Sequence, residues 1–124
     1  MTLVEHQLAF AVETHERGPW AVVEARGELD AYTAPSLGAA LAAAIDDAGR
    51  ARVVVHLSEV SFVDAAGLGT LVAASEWARA GGGELRLVGR PRLARLLTLA
   101  GLDQVLPLTA SIEAALSLGH GKPA

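Results

Sequence analysis

The chain has 124 residues, 52% of them hydrophobic, and a formal net charge of −4; that is enough apolar material for one packed domain and excludes a chain disordered throughout. The negative balance argues against nucleic-acid binding by phosphate neutralisation, which calls for a basic stripe. Cysteine is absent, which removes disulfides, thiolate chemistry and Cys-ligated metals from consideration.

Aromatic residues make up only 4% of the chain, so the core has to be built from Ala, Val and Leu. The first ten residues are polar and strand-like, with no basic segment leading into an apolar one, and no leader is expected. No apolar run reaches the ~18 residues of a membrane span; a cytoplasmic protein without membrane insertion follows as the expectation.

Leu8-Ala-Phe10-Ala-Val12-Glu-Thr14 alternates apolar with small or polar residues, the period of a half-buried strand. Gly18-Pro19 marks a turn, and Trp20–Arg26 reads as a second strand closed by Gly27, so a hairpin opens the chain. Pro35 is well placed at the start of a helix, and Leu37, Leu41, Ile45 and Ala48 give it one apolar face up to Gly49. Val53–Leu57 is a continuous β-branched run suited to a central strand buried on both faces. Leu68, Leu71, Val72 and Ser75 share a face of the next helix, which Gly81-Gly-Gly83 stops. Glu84–Val88 is the following strand, and Leu93, Leu96, Leu97 and Ala100 line a helix ended by Gly101. Val105-Leu106 is a brief last strand, and Ser111 caps a final helix through Ile112, Ala115 and Leu116. The tail 119–124 has no pattern and is expected to be disordered. The predicted order is β-β-α-β-α-β-α-β-α, and strands joined through helices require a largely parallel sheet.

Signs of catalysis are sparse. His6, His15, His56 and His120 show no metal-ligand spacing, and no metal or cofactor is expected. His56 reads as a rim residue at a strand end, hydrogen-bonded to backbone. Gly67-Leu-Gly69 and Gly81-Gly-Gly83 fit neither a dinucleotide fingerprint nor a phosphate loop. Arg90, Arg92 and Arg95 gather at one helix start, where basic charge opposes the helix dipole; they form a solvated face or meet an acidic partner. The segment that stands apart is Ser58–Gly69. Asp64 is placed to cap a helix, and Ala65, Ala66 and Gly67 put almost no side chain over its positive end. That is either a tight strand–helix joint or a helix start left open to a partner.

Phe62-Val-Asp64-Ala-Ala-Gly67-Leu-Gly69 resembles the FxDSSGLG signature of STAS domains, the bacterial anti-sigma-factor antagonists and their relatives. Gly27-Glu-Leu-Asp30-Ala-Tyr-Thr33-Ala-Pro35 is similar to the family's GELDxxTAP stretch. Leu85-Arg-Leu-Val-Gly89 and Leu96–Asp103 agree with its C-terminal half. The resemblance spans about residues 6 to 118 and implies one STAS domain over 1–118, an α/β fold with a mixed four- to five-stranded sheet and helices mainly on one face. It implies a binding protein rather than an enzyme: a monomer or weak dimer that binds an anti-sigma factor, a GHKL-type serine kinase, and so releases a sigma factor. The partner-binding residues it implies are Asp30, Thr33, Ser58, Asp64, Ala65, Ala66, Gly67 and Leu68. The acceptor serine of the family maps to Ala66, or in some members to Ala65, and alanine has no hydroxyl; His56 replaces a frequent aspartate close to the interaction face. The resemblance also carries an alternative, an accessory subunit of an ABC-type lipid transport system.

Overall fold

The computed structural model describes residues 10–46 and 52–118. The chain opens with an antiparallel hairpin, β1 (Ala11–Arg17) and β2 (Trp20–Leu29), in register from Ala11↔Arg26 to Arg17↔Trp20. Its loop is the two residues Gly18-Pro19, and Gly18 has φ 60°, the positive angle that a tight hairpin turn needs at its first position. β1 runs three residues past its predicted end at Thr14, because this turn pairs Arg17 with Trp20 and carries the ladder up to the loop; the predicted start at Leu8 lies outside the described residues. β2 also outruns its prediction. Gly27 does not close it but sits inside it at φ 108°, between shifts of register, and the strand continues until Leu29 lies beside Val63. Glycine tolerates that angle where a side chain would be strained.

Helix α1 (Ala34–Asp46) follows; its predicted end at Ala48–Gly49 lies outside the described residues. Strand β3 (Arg52–Val63) is more than twice as long as its apolar run suggests. It pairs in parallel with β2 over most of its length, but with β4 (Glu84–Val88) only from Arg52 to His56. Beyond His56 one edge of β3 has no strand beside it among the described residues, which is why the buried pattern fades after Leu57. Helix α2 (Ala65–Ala80) ends where Gly81 and Gly82 turn the chain back, and α3 (Pro91–Leu99) leads to β5 (Leu108–Thr109). The predicted Val105-Leu106 strand is a turn instead: the amides of both residues donate to the carbonyl of Leu102. The ladder with β4 starts at Pro107, whose carbonyl accepts from Leu87 N at 2.8 Å. The last helix, α4 (Ile112–Ser117), is capped as predicted, Ser111 Oγ accepting from Ala114 N at 3.0 Å.

The sheet order is β1-β2-β3-β4-β5, with only β1 antiparallel to its neighbour. The main core lies on one face, where Val23, Val53, Val55, Leu85 and Leu87 meet Leu37 and Leu41 of α1, Leu71 and Ala74 of α2 and Leu97 of α3. Each fully buried Leu or Val contributes roughly 1.5–3 kcal/mol relative to exposure. Strand alternation sends the intervening residues to the opposite face, where Trp20, Val22, Val54 and Val88 pack on Ala115 of α4. Arg86 lies on that face too, buried beneath α4. Its guanidinium donates to the carbonyls of Ala115 and Leu118, grips both carboxylate oxygens of Glu84, and stacks 4.5 Å from the Trp20 ring centroid.

Candidate functional site

Two strand-to-helix junctions lie side by side, because parallel pairing brings Leu29 at the end of β2 beside Val63 at the end of β3. At the first, Asp30 Oδ1 accepts from Tyr32 N and Thr33 N, both at 3.0 Å. Thr33 Oγ1 donates to the carbonyl of Glu28 at 2.7 Å and accepts from Asp30 N at 3.0 Å. These bonds fold 30–33 into a closed turn that aims α1, with Thr33 buried in the middle of it. At the second, Asp64 N donates across to Leu29 O at 3.1 Å, and Asp64 Oδ1 accepts from Gly67 N at 3.1 Å as the N-cap of α2. A carboxylate serves well there, as an acceptor for an orphan amide and as negative charge at the positive helix end.

Gly67 is fixed by contact. A Cβ at this position would fall 2.7 Å from Leu29 Cγ and 3.2 Å from Leu29 O, so the first turn of α2 lies directly on the end of β2. Gly67→Ala is therefore expected to destabilise the fold by about 1–3 kcal/mol, the usual cost of overpacking. Urea unfolding should show a lower midpoint; an unchanged midpoint would mean that the two junctions are not in tight contact.

Outside this close approach the surface is open. Ala66, Gly69, Thr70, Ala73 and Trp77 recur at helical spacing on one face of α2. With Ala31, Ala34, Pro35 and Gly38 they line a groove of about 450 Å³ between α2 and α1. Gly38 faces Thr70 across the groove, where even an added Cβ would make only an ordinary contact, 3.6 Å from Thr70 Cγ2. Trp77, 44% exposed, lines this groove, and Tyr32, 61% exposed, follows Ala31 at its α1 side. A smooth groove of small side chains beside exposed aromatic rings is suited to taking up another protein's apolar side chains.

Of the residues named from the sequence, Asp30, Thr33, Asp64, Ala65, Ala66, Gly67 and Leu68 come together at these junctions. Ser58 does not. It lies six residues before Asp64 on β3, about 20 Å away along an extended strand. Ala65 is exposed and Ala66 is half-buried, lining the groove while packing against the main core; Thr33, Gly67 and Leu68 are buried, and the half-buried Asp30 and Asp64 carboxylates cap backbone amides. Those five shape the face and do not cover it. Tyr32, Trp77 and Thr70 are not among the partner-binding residues the sequence points to; the i, i+4, i+11 spacing of Ala66, Thr70 and Trp77 is the available signal.

His56 also differs from its prediction. It is not at a strand end bonded to backbone but within β3, between Glu24 of β2 and Val88 of β4. Alternation from Val54 puts it on the α4 side of the sheet, across from the α1–α2 groove and away from the signature. Its Nδ1 is buried without a hydrogen bond among the described residues, the nearest carboxylate oxygen being Glu24 Oε2 at 3.6 Å.

Comparison with known proteins places these features in a common frame. The STAS domain profile matches residues 11–115. An anti-sigma-B factor antagonist of Bacillus subtilis is 33% identical over 92 residues, covering 73% of this chain and 83% of that protein. One from Staphylococcus aureus is 31% identical over 103 residues, covering 82% and 94%. The crystal structure of an anti-sigma factor antagonist from Mycobacterium paratuberculosis superposes with a TM-score of 0.79 at 32% identity, covering 87% of this chain and 92% of that one.

Proposed function

This chain belongs to the STAS domain family, and from that premise we propose that it is an anti-sigma-factor antagonist held permanently in its binding-competent form. The observation that carries the reading is the first turn of α2, where Ala66 lines the α1–α2 groove, Ala65 beside it is exposed, and neither carries a hydroxyl. The partner is an anti-sigma factor of the GHKL serine-kinase type, which covers this turn and the groove and in doing so gives up its sigma factor. The chain works in the cytoplasm as a binding module, with no cofactor and no chemistry of its own.

The switch that this face would otherwise carry is a phosphoryl transfer. A hydroxyl oxygen attacks the γ-phosphorus of ATP, its proton passes to a base, and ADP leaves. A methyl group offers no such oxygen. Phosphate would bring about −1.5 to −2 charges to the turn, beside the carboxylate that already caps it; without it the face keeps its neutral surface. Thr70, one helical turn further along the groove, is the nearest hydroxyl on this face and is half-buried against α1.

Incubating the chain with an anti-sigma kinase from the source cell and Mg-ATP should leave its intact mass unchanged, while Ala66→Ser should take up one phosphate. Phosphate on the unaltered chain would contradict the reading of an unswitched antagonist. An Ala66→Ser variant that stays unmodified would contradict a kinase partner acting at this face.

A further inference from the structure

We infer that the groove between the overhanging end of β3 and α3 is a second docking surface, which takes up an extended acidic segment of a protein partner. The proposal does not depend on the face around Ala66. Among the described residues, β3 beyond His56 is paired with β2 alone, so its other edge, from Leu57 to Val63, is open towards α3. The carbonyl of Ser61 opens to that side, where Arg92 Nη1 reaches it at 3.5 Å. Between edge and helix lies a groove of about 640 Å³ floored by Leu57, Val60, Leu93 and Leu96, with Phe62 51% exposed at its lip.

The charge at this groove is of one sign. Arg90, Arg92 and Arg95 line it, all exposed, no carboxylate lines it among the described residues, and none of the three arginines is in an ion pair there. Arg90 and Arg92 sit at the start of α3, whose first turn has no acidic residue and whose N-cap, Arg90, supplies no side-chain hydrogen bond. Cations at the positive end of a helix oppose its dipole, so their placement works against the stability of α3. In a chain of net charge −4, a patch of unneutralised arginines beside an apolar floor is complementary to a segment of acidic and apolar residues. An open strand edge selects an extended segment over a helix: backbone groups pair along the edge, while alternate side chains point to the floor and to the arginines.

The test is a titration of the isotope-labelled chain with a short acetylated peptide of alternating glutamate and leucine, followed by amide NMR shifts. The shifts should fall on Val60–Val63 and Arg90–Leu96, leave Tyr32, Ala66 and Trp77 unmoved, and weaken with salt. Arg90→Glu/Arg92→Glu, which places at the helix start the charges the dipole favours, should weaken binding by at least about tenfold. The same peptide with lysine for glutamate should not bind. Absence of shifts at these residues, equal binding of the lysine peptide, or shifts confined to the α1–α2 groove would each overturn the proposal. Concentration-dependent shifts of the same residues in the free chain would assign the groove to a second copy and overturn it too. The reading of the Ala66 face is tested separately, by the partner itself, so the two can fail independently.

Discussion

Ala66→Asp is expected to lower affinity for the anti-sigma factor by at least about a hundredfold while the domain stays folded. Ala66 is the second residue of α2, and a carboxylate in the first turn gains about 0.3–1 kcal/mol from the helix dipole when exposed. The Asp64 carboxylate nearby offsets part of that, and melting should move little. At the interface the balance reverses. A partner that covers the groove would strip water from the new charge with no cation assured opposite it, and such burial costs several kcal/mol. Each ~1.4 kcal/mol is a factor of ten in affinity, so ~2.8 kcal/mol already gives a hundredfold. Calorimetric titration, with Ala66→Ser as the steric control, reads this directly. If the aspartate variant binds as tightly as the unaltered chain, the partner does not cover this helix start.

The largest expected effect on stability lies on the opposite side of the sheet. Arg86 is 1% exposed and holds three elements at once: the carboxylate of Glu84 on its own strand, the ring of Trp20 on β2, and the carbonyls of Ala115 and Leu118 at the end of α4. A cation at a helix C-terminus meets the negative end of the dipole, and a planar guanidinium can serve a carboxylate and two carbonyls together. Arg86→Ala removes all of these, leaves Glu84 and the helix end unpaired, and opens a void beneath Trp20. Glu84 is one-third exposed and keeps its water, but each carbonyl loses a hydrogen bond to a charged group worth about 1.5–3 kcal/mol, together a large share of the ~5–15 kcal/mol that holds a domain folded. Urea unfolding should show the loss, and hydrogen exchange should show 112–117 opening first. Lysine at this position keeps the charge but not the fork, and should recover only part of the stability. A variant as stable as the parent would mean that α4 is held by Ala115 and its apolar neighbours alone.

Much of this architecture was legible in the sequence, and the failures have identifiable causes. The helices α1, α2 and α3 declare themselves by leucines and alanines at three- and four-residue steps, and these side chains fill the main core. Strand ends were the weak point. Gly27 reads as a terminator, yet glycine also permits the bulge that carries β2 on to Leu29. β3 loses its apolar pattern halfway, because beyond His56 only one edge is paired among the described residues. Val105-Leu106 is apolar and β-branched enough to suggest a strand, but Leu106 packs into the core from a turn. Arg86 sat in plain view within an alternating strand, and the alternation itself places a charge on a buried face; what it could pair with there depends on where α4 docks, which no local pattern reports. The candidate site was found from its two motifs, though most of the residues in them turn out to build the junctions. The exposed surface is set by Tyr32, Trp77 and the small residues between them, and their proximity is a product of how α1 and α2 pack.

The central claim, that this antagonist cannot be switched off at its signature, is tested most directly by following sigma-factor release over time. The chain is added, with excess Mg-ATP, to the purified complex of anti-sigma kinase and sigma factor, and free sigma factor is measured as the nucleotide is consumed. Release that rises and then holds for the chain, but rises and decays for Ala66→Ser as phosphate accumulates on it, is the result this account predicts. Release that decays for the unaltered chain while ATP remains, or no release at all, would contradict it.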